Sequence, residues 1–445
     1  MTRPNISQSY FSKTLAGVWF TCCTIASLII SQVGCGNQEP AGSQAEDSSP
    51  AVRDSNITRA VPSFGSLDLD QDPFEHSSTK DSQLAVVNAL FSKVEGYRIP
   101  GIENHLPDAL FEDIRMGYFG KAEGIDDHVR REYHTFTHAL DVMITTHAIL
   151  RGGGGVFLKK HEQSSLVLAA LGHDILHTGV NNGFLLKIKH PLVEEFGPDG
   201  IQEKRSATHL LKLIDKHEIL APKAEPNSPS NDIISESRSM IEQSILWTDM
   251  KRHGDLMKEV SGRMDDIQQA LSQARKAVRV SDFNSSKGAT DDDVAAGVRA
   301  VDFLDVDARI LIGALILHCA DVSNPTKEWD VCERWSVLVM NEFFSQGDVE
   351  RKQGHQILMN CDRDTVSIPK SQVGFGQFVI RNLFELLSQI SRTSGEKSLR
   401  RFEANFKRWQ DLAKQEAADD KPYKMTFRPP SREGGWLGEL RKVEQ

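Results

Sequence analysis

The chain has 445 residues, with 52 Lys and Arg against 62 Asp and Glu, a formal net charge of −10. That acidic balance argues against a nucleic-acid binder, which carries a basic face. A composition of 39% hydrophobic and 26% charged residues excludes wholesale disorder and a multi-span membrane protein.

From Thr14 to Gln38 no residue is charged, and Arg3 and Lys13 precede the stretch. The apolar run from Leu15 to Ile30 is shorter than the roughly 20 residues of a spanning helix. It fits the apolar region of a secretory signal with a positive segment before it. Gln32-Val33-Gly34-Cys35 resembles a bacterial lipoprotein cleavage box, with Gln32 where that pattern usually has Leu. The expectation is a signal over 1–35, export and a lipid anchor at Cys35. The alternative is a retained single-pass anchor with the domain in the cytoplasm. Residues 36–79, rich in Ser, Pro and acidic residues, read as a polar tether. Cys319, Cys332 and Cys361 remain in the body and form no bridging pattern, which predicts reduced, structural thiols.

Beyond residue 80 the apolar residues recur with helical period and almost nowhere alternate. Leu84 to Phe91, Leu166 to Leu171, Leu210 to Ile214, Ile310 to Leu317 and Phe378 to Ile390 each supply an apolar face. Breakers separate them at Gly152 to Gly155, Gly197 to Gly200 and Pro222 to Pro229. The polar segment 254–306, with Asp291-Asp292-Asp293, reads as containing a surface insertion. No internal repeat and no second compositional regime follow residue 80. The expectation is one all-α domain over 80–420 and a tail over 421–445.

Three segments place histidines and carboxylates at ligand spacing. His134, His138 and Asp141 stand at i, i+4, i+7, so a helix would align them on one face. Read alone, this is as well a polar helix face. In the second segment an apolar run leads straight into His173-Asp174, with His177 four residues after the first imidazole. Groups delivered into a core this way are costly unless paired or bound to metal. In the third, the run from Leu311 to Leu317 ends at Asp321, which could equally cap the helix before Pro325. His138, His173, Asp174 and Asp321 together offer two imidazoles and two carboxylates without thiolate. That set suits Zn²⁺, Mg²⁺ or Mn²⁺ in a hydrolytic site rather than a structural zinc.

These segments resemble the catalytic domain of the class I 3′,5′-cyclic nucleotide phosphodiesterases, relatives of the HD phosphohydrolases. Thr248-Asp249-Met250-Lys251-Arg252-His253, Asn341 to Asp348 and Ser371-Gln372-Val373-Gly374-Phe375 match further motifs in the same chain order. The wording is closest to the cAMP-specific branch across His318 to Lys327. The resemblance implies a compact HD-type helical domain with a binuclear metal site. In it His138, His173, Asp174 and Asp321 hold zinc, and Asp174 bridges to a second metal, usually Mg²⁺, with Mn²⁺ as the other candidate. His177, Glu203 and Thr248 would hold the second metal's waters. A metal-bridging hydroxide would open the cyclic ester to a 5′-monophosphate, and His134 would protonate the departing O3′. Tyr133, Asn324, Val339, Gln372 and Phe375 would line the purine pocket, Gln372 on the ring edge and Phe375 on its face. Asn324 stands where cAMP-preferring members carry Asn, so cAMP is favoured and cGMP possible as substrate.

Two departures from the family pattern stand out. Thr135 replaces the usual Asn of the first motif, and the L-E-x-H-H region is reduced to Gln202-Glu203-Lys204-Arg205-Ser206. Glu203 is assigned by alignment spacing. Two other readings are an HD-type phosphohydrolase acting on another phosphoester, which would not need Gln372 and Phe375, and a non-catalytic cyclic-nucleotide-binding protein. The expected partners are the nucleotide and, through the N-terminus, a membrane; the oligomeric state is left open.

Overall fold

The computed structural model describes residues 69–93 (without 76 and 78), 99–222 (without 103 and 104), 229–283, 299–419 and 421–423. The expected signal, most of the tether and nearly all of the tail lie outside these residues. All described residues fall in one compact unit, Ser63–Gln445. Among them there is no strand, and no helix is long and apolar enough to cross a membrane. The all-α expectation matches what is observed.

Among the described residues fifteen α-helices run in chain order. The first group is α1 (Lys80–Lys93), α2 (Asp108–Met116), α3 (Phe136–Arg151), α4 (Lys160–Gly172), α5 (Asn182–Lys187), α6 (Pro191–Phe196), α7 (Ile201–Lys216) and α8 (Pro229–Leu246). The second is α9 (His253–Gly262), α10 (Met264–Phe283), α11 (Val306–Asp321), α12 (Trp329–Lys352), α13 (Ile368–Phe375), α14 (Arg381–Ile390) and α15 (Arg392–Asp419). Helix α3 is buried from Phe136 to Leu150 and α4 from Glu162 to Gly172. A helix buried on all sides has no face for solvent and lies at the centre, so the polar groups it carries must find partners inside the protein. Helices α3, α8 and α11 pack against α4 and complete one continuous core.

The structure differs from the sequence reading in two places. Residues 69–79 are not all tether: Phe74 packs its ring 4.5 Å from that of Trp335, and Asp70 pairs with Lys397 and Arg401. An aromatic beside acidic residues, set among Ser and Thr, is too short a signal to read as docking. In segment 254–306, expected to contain a surface insertion, Ile267, Ala270 and Ala274 share one buried face of α10, and residues 284–298 lie outside the described set. Finally, His134 precedes α3, whose N-cap is Thr135, so it does not share a helix face with His138 and Asp141. Cys319, Cys332 and Cys361 are free and buried.

Candidate active site

Helix ends bring the ligand set together. His138 sits in the first turn of α3, His173 is the C-cap of α4 and Asp321 is the last residue of α11. The chain after α4 turns sharply, and Leu176 takes a left-handed φ of 64°. Such a conformation persists for a branched side chain only where surroundings fix it. Here Arg205 donates to the Leu176 carbonyl at 2.7 Å, Ser206 to that of Ile175 at 2.9 Å and Arg131 to that of His177 at 2.5 Å. Tyr118 ties in the same turn, its hydroxyl donating to the Leu171 carbonyl and accepting from the Asp174 N–H.

His138 Nε2 lies 3.1 Å from Asp321 Oδ1 and 3.6 Å from Asp174 Oδ2; His173 Nε2 lies 3.1 Å from Asp174 Oδ2 and 3.4 Å from Asp321 Oδ1. Donors each about 2.1 Å from a tetrahedral ion stand about 3.4 Å apart. The spacing fits a divalent cation. Moreover, the buried His173 Nε2 has no aligned hydrogen-bond partner although two carboxylates approach it. No Lys or Arg among the described residues pairs with Asp174 or Asp321. Burial alone would raise both carboxyls. The imidazoles of His173 and His134 outweigh burial at Asp174, and those of His138 and His173 do so at Asp321, holding both below the usual range.

Beside this cluster stands a second, His134, His177 and Glu342. Glu342, on α12, accepts from the Tyr133 N–H at 2.8 Å and the His134 N–H at 3.2 Å, while its Oε1 meets His134 Nδ1 at 2.5 Å. Burial would lower the His134 pKa, but Glu342 and then Asp174 outweigh it and lift it to about 9. Glu342 itself, raised by burial, is drawn down to about 2 by His134. The His177 ring stacks on His134 at 3.7 Å, and burial and the charge of His134 depress its pKa to about 3. Thus the proton of the stacked pair belongs to His134. Glu342 lay inside a motif in the sequence reading and was given no role; a carboxylate two residues before a buried Phe344 carries no local signal for it.

Residues 133–400, more than half of the chain, match the family model described as 3′5′-cyclic nucleotide phosphodiesterase. The chain belongs to that family. It is 26% identical over 289 residues to the dual specificity calcium/calmodulin-dependent 3′,5′-cyclic nucleotide phosphodiesterase 1B of Mus musculus, covering 64% of this chain and 44% of that protein. It is 28% identical over 294 residues to the 3′,5′-cyclic-AMP phosphodiesterase, isoform F, of Drosophila melanogaster, covering 65% of this chain and 39% of that one. The chain therefore spans less than half the length of these curated relatives. Among solved structures, the phosphodiesterase domain of Salpingoeca rosetta rhodopsin phosphodiesterase has the same fold, with a TM-score of 0.59 and 20% identity over 80% of this chain and 94% of that one.

The remaining expected positions of this phosphodiesterase-family chain fall as follows. Tyr133 is buried, its ring 4.5 Å from His138 and 5.4 Å from Trp335; its hydroxyl accepts from Asn324 Nδ2 at 2.5 Å. Val339 packs against the Tyr133, Val331 and Trp335 cluster. Gln372 is buried on α13, and Phe375 ends that helix just before a π-helical segment, Gly376–Ile380. Such segments often accompany functional sites. Thr248 follows α8 and donates to the Ile245 carbonyl at 2.8 Å. Glu203 bonds Asn182 at 3.0 Å, and burial together with Asp249 raises its carboxyl to about 7. The residue that meets His177 is its neighbour Gln202, at 2.8 Å. Asp141, set on the face of His138 in the sequence, instead pairs with the buried Lys327 at 2.6 Å.

Proposed function

We propose that this chain hydrolyses 3′,5′-cyclic nucleotides to 5′-monophosphates, with His134 as general acid. The observation that carries the reading is the His134–Glu342 pair standing beside a partly buried His₂Asp₂ cluster whose spacing suits a divalent cation. His138, His173, Asp174 and Asp321 would hold that cation. Family membership supports two divalent ions, Zn²⁺ and Mg²⁺, which when bound polarise phosphoryl oxygens and acidify water.

The chain's own groups then have defined tasks. Glu342 occupies Nδ1 of His134, so Nε2–H is the proton left to give. It passes to O3′ as the P–O3′ bond breaks, which spares the leaving group an alkoxide charge. Glu342 balances the imidazolium beforehand and the backbone N–H groups of Tyr133 and His134 hold Glu342 in place. Tyr133, Asn324, Val339, Gln372 and Phe375 form the base-binding side. Asn324 gives an N–H to the Tyr133 hydroxyl, which turns its carbonyl oxygen into the acceptor for an exocyclic amine. Adenine carries that amine and guanine a carbonyl at the same edge, so cAMP is the better fit. The N-terminal segment, with its apolar run and Cys35, supports a lipid-anchored, exported location.

The test is hydrolysis of cAMP and cGMP by the full chain loaded with Zn²⁺ and Mg²⁺, beside His134→Ala. The expected result is metal-dependent release of 5′-monophosphate, faster for cAMP, and lost in the variant. A protein that loads metal yet hydrolyses neither nucleotide would overturn the assignment.

A further inference from the structure

Gln202, a neutral amide one residue from the carboxylate that the motif spacing selected, has every hydrogen-bonding position used. Its Oε1 accepts from the Thr178 N–H at 2.8 Å and from the Thr178 hydroxyl at 2.6 Å. Its Nε2 donates to the Val180 carbonyl at 2.7 Å and faces His177 Nε2 at 2.8 Å. An amide has two acceptor positions and two N–H groups, so all four are committed. Rotating the amide by half a turn would set oxygen against the Val180 carbonyl and N–H against the Thr178 N–H. The orientation is therefore determined by backbone groups, not chosen to suit the imidazole.

The consequence falls on His177. Since Gln202 brings an N–H, His177 Nε2 must offer a lone pair. A second donor, the Gly179 N–H, approaches Nδ1 at 3.1 Å. A neutral imidazole accepts at one nitrogen only. The competing tautomer, with hydrogen on Nε2, would keep the Gly179 contact but break the Val180 bond and oppose the Thr178 N–H. The tautomer with hydrogen on Nδ1 gives up one longer bond and turns its N–H against that of Gly179, while the other upsets the amide at both Val180 and Thr178, and the amide prevails.

We propose that Gln202 is a positioning residue that fixes His177 as the neutral tautomer with hydrogen on Nδ1. The proposal rests on the phosphodiesterase reading for its meaning but not for its test. It puts an N–H on the edge of His177 that faces Glu342 Oε1, 4.0 Å away, and leaves the ring stacked flat on His134. A carboxylate at position 202 would accept rather than donate, reversing the tautomer and withdrawing that N–H from Glu342.

The test uses the full chain, metal-loaded and labelled with ¹⁵N only in histidine, with His177 assigned by the signals missing from His177→Gln. The ring nitrogen correlations of the wild type should show a protonated Nδ1 and a lone-pair Nε2, and Gln202→Glu should exchange them. Gln202→Glu should also lower kcat by about 10–100-fold, the usual cost of disturbing groups behind a metal site, with KM much less affected. A wild-type spectrum with hydrogen on Nε2 overturns the proposal, and so does an unchanged tautomer in Gln202→Glu. An exchanged tautomer with unchanged kcat removes its role in the reaction. If Gln202→Glu does not fold, the wild-type spectrum still decides. If the wild type hydrolyses no cyclic nucleotide, the functional reading fails while the tautomer is still read.

Discussion

Helix α4 carries a histidine–carboxylate cluster at each end, and the two ends have opposite fates. At its start His161, Glu162 and Glu236 converge as closely as the ligands at its end do. There, however, Arg309 Nε reaches Glu162 Oε1 at 2.8 Å and Lys159 Nζ reaches Glu236 Oε1 at 2.6 Å, while His161 adds a contact to Glu236 at 2.7 Å. Two carboxylates meet two permanent cations, and the charge closes within the protein. At the far end Asp174 and Asp321 meet only imidazoles. Both ends set imidazole and two carboxylates at close range; what differs is whether Lys or Arg already supplies the positive charge. A metal reading follows from that deficit, because buried carboxylates without a cation carry a large desolvation cost.

The comparison breaks most decisively by neutralising one carboxylate at each end. Asp321→Asn should lose bound divalent metal, seen by elemental analysis of the purified protein. Its hydrolysis should fall by at least ~100-fold, beyond the loss usual for groups that merely support ligands. Glu162→Gln should keep its metal content and lose stability instead. It leaves the buried Arg309 guanidinium without its closest carboxylate, a change that costs about 3–5 kcal/mol when a buried pair is broken. Urea unfolding reads that cost directly. Metal loss from Glu162→Gln, with Asp321→Asn still loaded, would reverse the assignment of the two ends.

A smaller effect sharpens the boundary between the metal cluster and the proton-handling one. Glu342 raises the pKa of His134 to about 9, so the acid form is present at neutral pH and is lost as pH climbs through that value. Removing the carboxylate charge in Glu342→Gln lowers the His134 pKa. The alkaline fall of kcat/KM should therefore move to lower pH, with activity at pH 8 reduced by up to about 10²-fold, the low end of general acid catalysis. Metal content should not change. A pH profile that keeps its alkaline limb in place would separate Glu342 from proton transfer.

How far the sequence carried this site depends on where each residue's partner sits. His173, Asp174 and Asp321 were legible because apolar runs deliver them into the core within the same helix, a local signal. His134 and Asp141 were misjudged in geometry because helix α3 begins at Phe136 and Lys327, 186 residues away, claims Asp141. Glu342 and Arg309 act across 208 and 147 residues, and no spacing rule reports such pairings. The saturated cluster at the start of α4 shows the same limit in reverse. Its His161-Glu162 dipeptide is as suggestive as His173-Asp174 until Arg309 is seen to fill it. Gln202 and Glu203 show a further limit: adjacent polar residues on a helix differ by about 100° in direction, and spacing alone does not tell which of them meets His177.

The smallest effect belongs to Glu203, and it concerns stability. Half-buried Glu203 has its carboxyl raised to about 7, first by burial and then by Asp249. The unfolded carboxyl titrates near 4.5. Between those values the folded state holds a proton that the unfolded state has lost, so stability falls as pH rises and the penalty is complete above about 7. In chelator, where no cation offsets the repulsion, the wild type should melt at progressively higher temperature as pH drops from 7 toward 5. Glu203→Gln carries no such proton and should lose that part of the slope while melting slightly higher at pH 8. Its kcat should change far less than that of Gln202→Glu, since Gln202 is the residue that meets His177. Equal losses in the two variants would give Glu203 as large a share in the reaction as Gln202 and erase the distinction between a group that orients an imidazole and one that only adds charge nearby.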